Sequence, residues 1–202
     1  MKKLLLVLFV LISINSIAQE HKNLFMNIDV GIPIYFDDGI NGTFVFNYKA
    51  GAYINNEVSI IFGVEGSIFS MENPLYTYSG NGTYNSVYAG VGFEDPIGEK
   101  FFLRGEYLLG MSLVEYPSQY ETAFLTVYER GMGFRTGILS SLGFYLNEAQ
   151  TIGLTAQLGI QYAVFNSDYY IYDNLTSTLL INGSISDGYF ISTLSLGFFV
   201  KL

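Results

Sequence analysis

The 202-residue chain contains no cysteine, which excludes a disulfide framework, a thiolate metal site and a cysteine that could receive a lipid anchor. Tryptophan is absent too, and the single histidine, His21, stands close to the N-terminus. A general base working near neutral pH is most readily a histidine, so catalysis lacks its usual base through the rest of the chain. Charged residues make up only 13% of the sequence while half of it is hydrophobic, a balance unlike that of an ordinary acidic soluble domain. Beyond the N-terminus no apolar run approaches the roughly 20 residues that a spanning helix requires. Any crossing of a membrane must therefore use strands of about 9–11 residues.

What is present begins with an export signal. Met1-Lys2-Lys3 is a basic start, Leu4 to Ile14 an apolar core, and Ser16-Ile17-Ala18 supplies small residues at the spacing of a cleavage site. We expect residues 1–18 to be removed after Ala18, leaving 19–202 as the mature domain; the apolar core is too short for a comfortable uncleaved anchor. Loss of Lys2 and Lys3 leaves 7 of the 9 basic residues against 18 acidic ones, a net charge of −11. Nucleic acid is a disfavoured partner for such a chain. Much of the acid falls in connections, among them Asp37, Asp38, Glu72, Glu115, Asp168 and Asp173, and reads as a solvated, repulsive surface.

From Leu24 onward apolar residues alternate with small or polar ones in eight stretches. We place strands at 24–35, 43–54, 58–70, 84–94, 100–114, 131–146, 150–165 and 188–201. Short turn-rich connections at 55–57, 95–99 and 147–149 alternate with longer ones at 36–42, 71–83, 115–130 and 166–187. Alternation of period two gives each strand an apolar and a polar face. In the first strand Leu24, Met26, Ile28, Val30, Ile32 and Ile34 take the lipid side while Asn27, Asp29 and Gly31 turn inward. In the seventh, Ile152, Leu154, Leu158 and Ile160 oppose Gly153, Thr155, Gln157 and Gln161. A soluble sandwich also alternates, but its strands are rarely so long. Aromatic residues near strand ends, Tyr35, Tyr53, Phe144, Tyr162 and Phe198, suit interfacial girdles. Two apolar segments in the longer connections, Thr122 to Tyr128 and Leu175 to Ile181, read as hairpin extensions rather than additional strands.

The expected fold is all-β: an eight-stranded antiparallel up-and-down transmembrane β-barrel with both termini on the short-turn side. The terminal strand, with Phe190, Leu194, Leu196, Phe198, Val200 and Leu202 in alternation, resembles the signal read by the barrel-assembly machinery, although many such strands end in Phe. With the export signal and the eight strands, the chain resembles the small outer-membrane barrels of the OmpA/OmpX architectural type, with no segment left for a peptidoglycan-binding domain. That resemblance implies a bacterial outer-membrane location, membrane lipid as surroundings and the assembly machinery as a partner during insertion.

Six ionisable residues with inward parity lie near strand centres: Asp29, Lys49, Glu65, Arg104, Glu106 and Arg135. Three acids and three bases suggest pairing, because an eight-stranded barrel is just wide enough to be filled by side chains and an unpaired charge there is costly. We expect a salt-bridged plug; the other reading is a narrow channel or binding barrel for small solutes or hydrophobic ligands. Tyr169, Tyr170 and Tyr172 in the longest connection, with Tyr76 and Tyr78 in the second, are candidates for holding an extracellular ligand or protein. Packing just above the membrane is the simpler account of the same rings. Asp37-Asp38-Gly39 lacks the alternating oxygen ligands and distal Glu of a calcium loop. Neither a metal nor a cofactor is expected. The expected role is structural or surface-interacting, without catalysis.

Overall fold

The computed structural model describes residues 24–36, 40–55, 57–73, 78–116, 125–173 and 175–202. The export segment 1–18, His21, Asp37 and Asp38 lie outside them. Eight strands follow one another: β1 Leu24–Tyr35, β2 Ile40–Tyr53, β3 Val58–Asn73, β4 Tyr78–Ile97, β5 Phe101–Glu115, β6 Leu125–Tyr145, β7 Ile152–Asp173 and β8 Thr178–Lys201. Each pairs antiparallel with the next, and β8 returns to β1 to close the barrel, from Phe25 opposite Lys201 to Tyr35 opposite Ile191. Closure removes the free sheet edges that an open sheet of this size would carry.

The short connections are set by local chemistry. In the β2–β3 turn the side-chain carbonyl of Asn55 accepts hydrogen bonds from the N–H of Glu57 at 2.9 Å and of Val58 at 2.7 Å. Asn147 does the same after β6, accepting from Thr151 and Ile152 at 3.0 Å each. Gly98, with φ +68°, makes the β4–β5 turn in a conformation that glycine adopts without steric cost.

Parity sorts the wall as expected. Ile28, Val30, Ile32, Leu103, Leu109, Met111, Ile138, Leu158 and Leu196 are exposed outward, whereas their sequence neighbours Asp29, Arg104, Gly110, Gly137 and Gln157 turn inward. So large an apolar exposure is stable where the solvent is hydrocarbon. Aromatic pairs lie on this outer surface: Phe101 with Phe144 at 5.1 Å near the short turns, and Tyr162 with Phe190 at 4.6 Å toward the other end.

Three expectations need correction. The connections on the far side from the termini are much shorter than 71–83, 115–130 and 166–187, because strands continue into them: residues 166–173 and 178–186 form a paired hairpin, with a register shift at Ile171/Tyr172. The apolar segments near 125 and 178 lengthen β6 and β8, and the strand count stays at eight. Tyr35 and Tyr53 do not belong to the girdles; both turn inward, toward Ser67 and Glu94 respectively. Nor is the inward face uniformly small and polar, since Phe25, Phe69, Phe102, Phe165 and Phe199 are buried there.

Candidate functional site

The interior is built from inward-pointing residues of all eight strands, in apolar clusters interleaved with charge. At the end nearest the short turns Phe102, Tyr145 and Phe199 form a triad with ring centroids 5.0–5.6 Å apart. Glycines of neighbouring strands make room for these rings. A Cβ on Gly143 would stand 1.9 Å from the Phe102 ring, and one on Gly153 would stand 2.1 Å from that of Phe199. At the opposite end Tyr35, Phe69, Tyr84, Val114, Phe165 and Ile191 pack with Tyr116 and Tyr189, whose hydroxyls meet at 2.7 Å. The void left among them is about 10 Å³, room for roughly one water.

Between these layers the structure places all six charged residues singled out from the sequence, each buried and each facing opposite charge. Lys49 Nζ donates to Glu106 Oε2 at 2.8 Å and to Gln157 Oε1 at 2.6 Å, and stands 3.7 Å from Asp29. Asp29 also accepts from Asn27 and from Thr155 at 3.2 Å. Arg104 lies 4.0 Å from Glu106, and its guanidinium sits 4.2 Å from the centre of the Phe25 ring. On the far side Arg135 approaches Glu65 at 3.4 Å, donates to Ser86 and lies over Tyr88, while Gln161 donates to Glu65 at 3.1 Å. Taking a charge from water into such a space costs several kcal/mol unless its hydrogen bonds are replaced. Here other strands of the wall supply many of them, although Arg104 Nε, Arg135 Nε and Glu106 Oε1 have no hydrogen-bond partner among the described residues.

Two members of the network escape the sequence reading. Glu94 of β4 accepts from Arg104 at 2.5 Å, Tyr53 at 2.6 Å, Tyr145 at 3.1 Å and Lys201 at 2.6 Å, and Arg104 donates to the Tyr53 hydroxyl as well. Lys201 of β8, 22% exposed at the mouth, reaches Glu94 and the Tyr145 hydroxyl. Both lie near strand ends, where a charge reads as solvated. Parity was the available signal, because Glu94 shares the inward face with Gly90 and Gly92, and Lys201 with Gly197 and Phe199. Four acids thus face four bases.

The tyrosine candidates are not brought together in the same way. Tyr170 is an exposed side chain of β7; Tyr169 and Tyr172 lie on the same strand, and Tyr78 opens β4. Tyr76 lies outside the described residues. At the end of β7, Asp173 accepts from the Leu175 N–H at 2.8 Å and the Thr176 hydroxyl at 3.0 Å, which hold its carboxyl below the usual carboxylate pKa. Among the described residues no three His, Cys, Asp or Glu side chains gather as a metal site.

No family model matches the chain, and no curated protein matches it either. Solved structures do. Neisserial surface protein A aligns over 89% of this chain and 97% of its own at 14% identity, with a TM-score of 0.56. A major outer membrane protein from Thermus thermophilus aligns over 87% and 99% at 10% identity and 0.59. The outer membrane protein OprG from Pseudomonas aeruginosa aligns over 89% and 97% at 7% identity and 0.51. The fold is that of the small outer-membrane β-barrels.

Proposed function

We propose that this chain is an outer-membrane barrel with a structural or surface-interaction role, its interior closed to solutes by the paired charges and the two aromatic layers. The observation that carries the reading is the void of about 10 Å³ in the outer aromatic layer, with no room for a hydrated ion to pass. Beneath it, Lys49 with Glu106, Arg135 with Glu65 and Lys201 with Glu94 pair strands that are not neighbours, so opening a path would break several pairs together. What faces the exterior is then the hairpin of β7 and β8 with its neighbour β6, carrying Tyr169, Tyr170 and Tyr172. The reading assigns no catalysis to the chain.

The refolded mature protein in a planar bilayer tests the closed interior. It is expected to give little or no steady conductance; large, long-lived openings would sink the reading in favour of a narrow channel.

A further inference from the structure

The outside of a barrel is convex, so a depression in it has to be built. One is present on the wall formed by β2 to β6, with a volume of about 570 Å³. Its origin can be read from the register. Phe46, Gly66, Asn85, Leu113 and Met132 are successive cross-strand partners in one row, all on the outward face. The row beneath it, toward the short turns, runs through Val64, Val87 and Met111. Gly66 and Asn85 are thus the low centre of a row whose other members are large and apolar. Gly66 has no side chain to fill the space, and its nearest neighbour there is the Asn85 carbonyl oxygen, 3.3 Å from where a Cβ would stand.

The depth of the depression identifies its occupant. Along β4 the outward residues Val87, Ala89, Val91 and Phe93 are apolar, whereas Asn85, Thr83 and Asn81 above them are polar. Asn85 therefore marks the boundary where hydrocarbon gives way to head groups. We infer that the depression is a binding site for one acyl chain of a membrane lipid. The chain lies over Gly66 against Val64, Val87 and Met111, and its ester or amide linkage meets the Asn85 side chain. A volume of 570 Å³ falls within the range of about 300–1,000 Å³ typical of small-ligand sites. An apolar body with one polar group at its head matches a linked acyl chain at that depth better than a transmembrane helix, which needs a long flat contact. The inference rests on the membrane placement but not on the closed interior, so conductance and lipid binding test different statements.

The chain has no tryptophan, so a single introduced indole is a clean reporter. Phe134→Trp places one beside the depression, next to Met111 on the adjacent strand, and Leu158→Trp places one on β7 away from it. Each is refolded into phosphatidylcholine vesicles doped with phosphatidylethanolamine brominated on its acyl chains. Quenching in the Phe134→Trp variant is expected to saturate at a several-fold lower mole fraction of brominated lipid than in the Leu158→Trp variant. Adding Gly66→Leu should abolish that preference by filling the site, bringing the two curves together, and Asn85→Ala should lower it by about twofold by deleting one hydrogen bond. The gel-mobility shift of the folded barrel confirms that each variant is intact. Identical quenching curves for the two reporters, or a preference that survives Gly66→Leu in folded protein, would overturn the inference. So would native mass spectrometry of the wild type from lipid-doped micelles showing no retained lipid.

Discussion

The interior of the barrel and the sheet that extends beyond it are made from the same strands by the same antiparallel pairing, yet their side chains are held in opposite ways. Inside, Lys49 of β2 reaches Glu106 of β5 and Gln157 of β7, partners 57 and 108 residues away in the chain. On the extension, Arg130 of β6 meets Glu115 directly opposite it on β5 at 2.7 Å, with the two side chains 70% and 44% exposed. Water can replace either partner of the second pair at little cost, but not of the first. Stability is therefore concentrated in the interior, while the extension can change its sequence without endangering the barrel.

Breaking the same kind of bond in both places puts that contrast on a scale. Lys49→Met leaves Asp29 and Glu106 buried without their cation and is expected to destabilise the barrel by about 3–5 kcal/mol, read from urea unfolding in lipid vesicles. The triple variant with Asp29→Asn and Glu106→Gln should recover most of the loss, which separates uncompensated charge from lost packing. A smaller effect is expected from Gly143→Ala, whose methyl group would displace the Phe102 ring. Overpacking of this kind costs about 1–3 kcal/mol, and Phe102→Leu in the same chain should relieve it. Arg130→Ala should come last, shifting the midpoint by less than about 1 kcal/mol. A loss at Arg130 as large as that at Lys49 would abolish the distinction between the two regions.

The two regions also differ in how far they were legible from sequence. Across the membrane the strands separate lipid from interior, and that contrast writes a period of two into residues such as Ile28-Asp29-Val30 and Leu103-Arg104. Strand number, strand order and the six central charges could therefore be read directly. Above the membrane both faces of a strand can meet water, the contrast ends, and Tyr169 to Asp173 carries no periodic signal even though β7 continues through it. The inward rings were hidden for a different reason. In Leu24-Phe25-Met26 both faces are apolar, and nothing local reveals that a glycine on the neighbouring strand, Gly51, leaves room for the Phe25 ring.

The distribution of the interior charges among the strands bears on how the barrel is completed. Asp29 is on β1, Lys49 on β2, Glu65 on β3, Glu94 on β4, Glu106 with Arg104 on β5, Arg135 on β6 and Lys201 on β8. Followed in chain order, the balance is negative once β3 is in place and returns to zero only with β8. An unfinished sheet lacking its last strand would hold one surplus carboxylate on its inward face, whereas docking β8 along β1 delivers the missing cation to Glu94 on the opposite wall. Zipping of the seam and neutralisation of the interior are then one event, which gives assembly an electrostatic reason to finish.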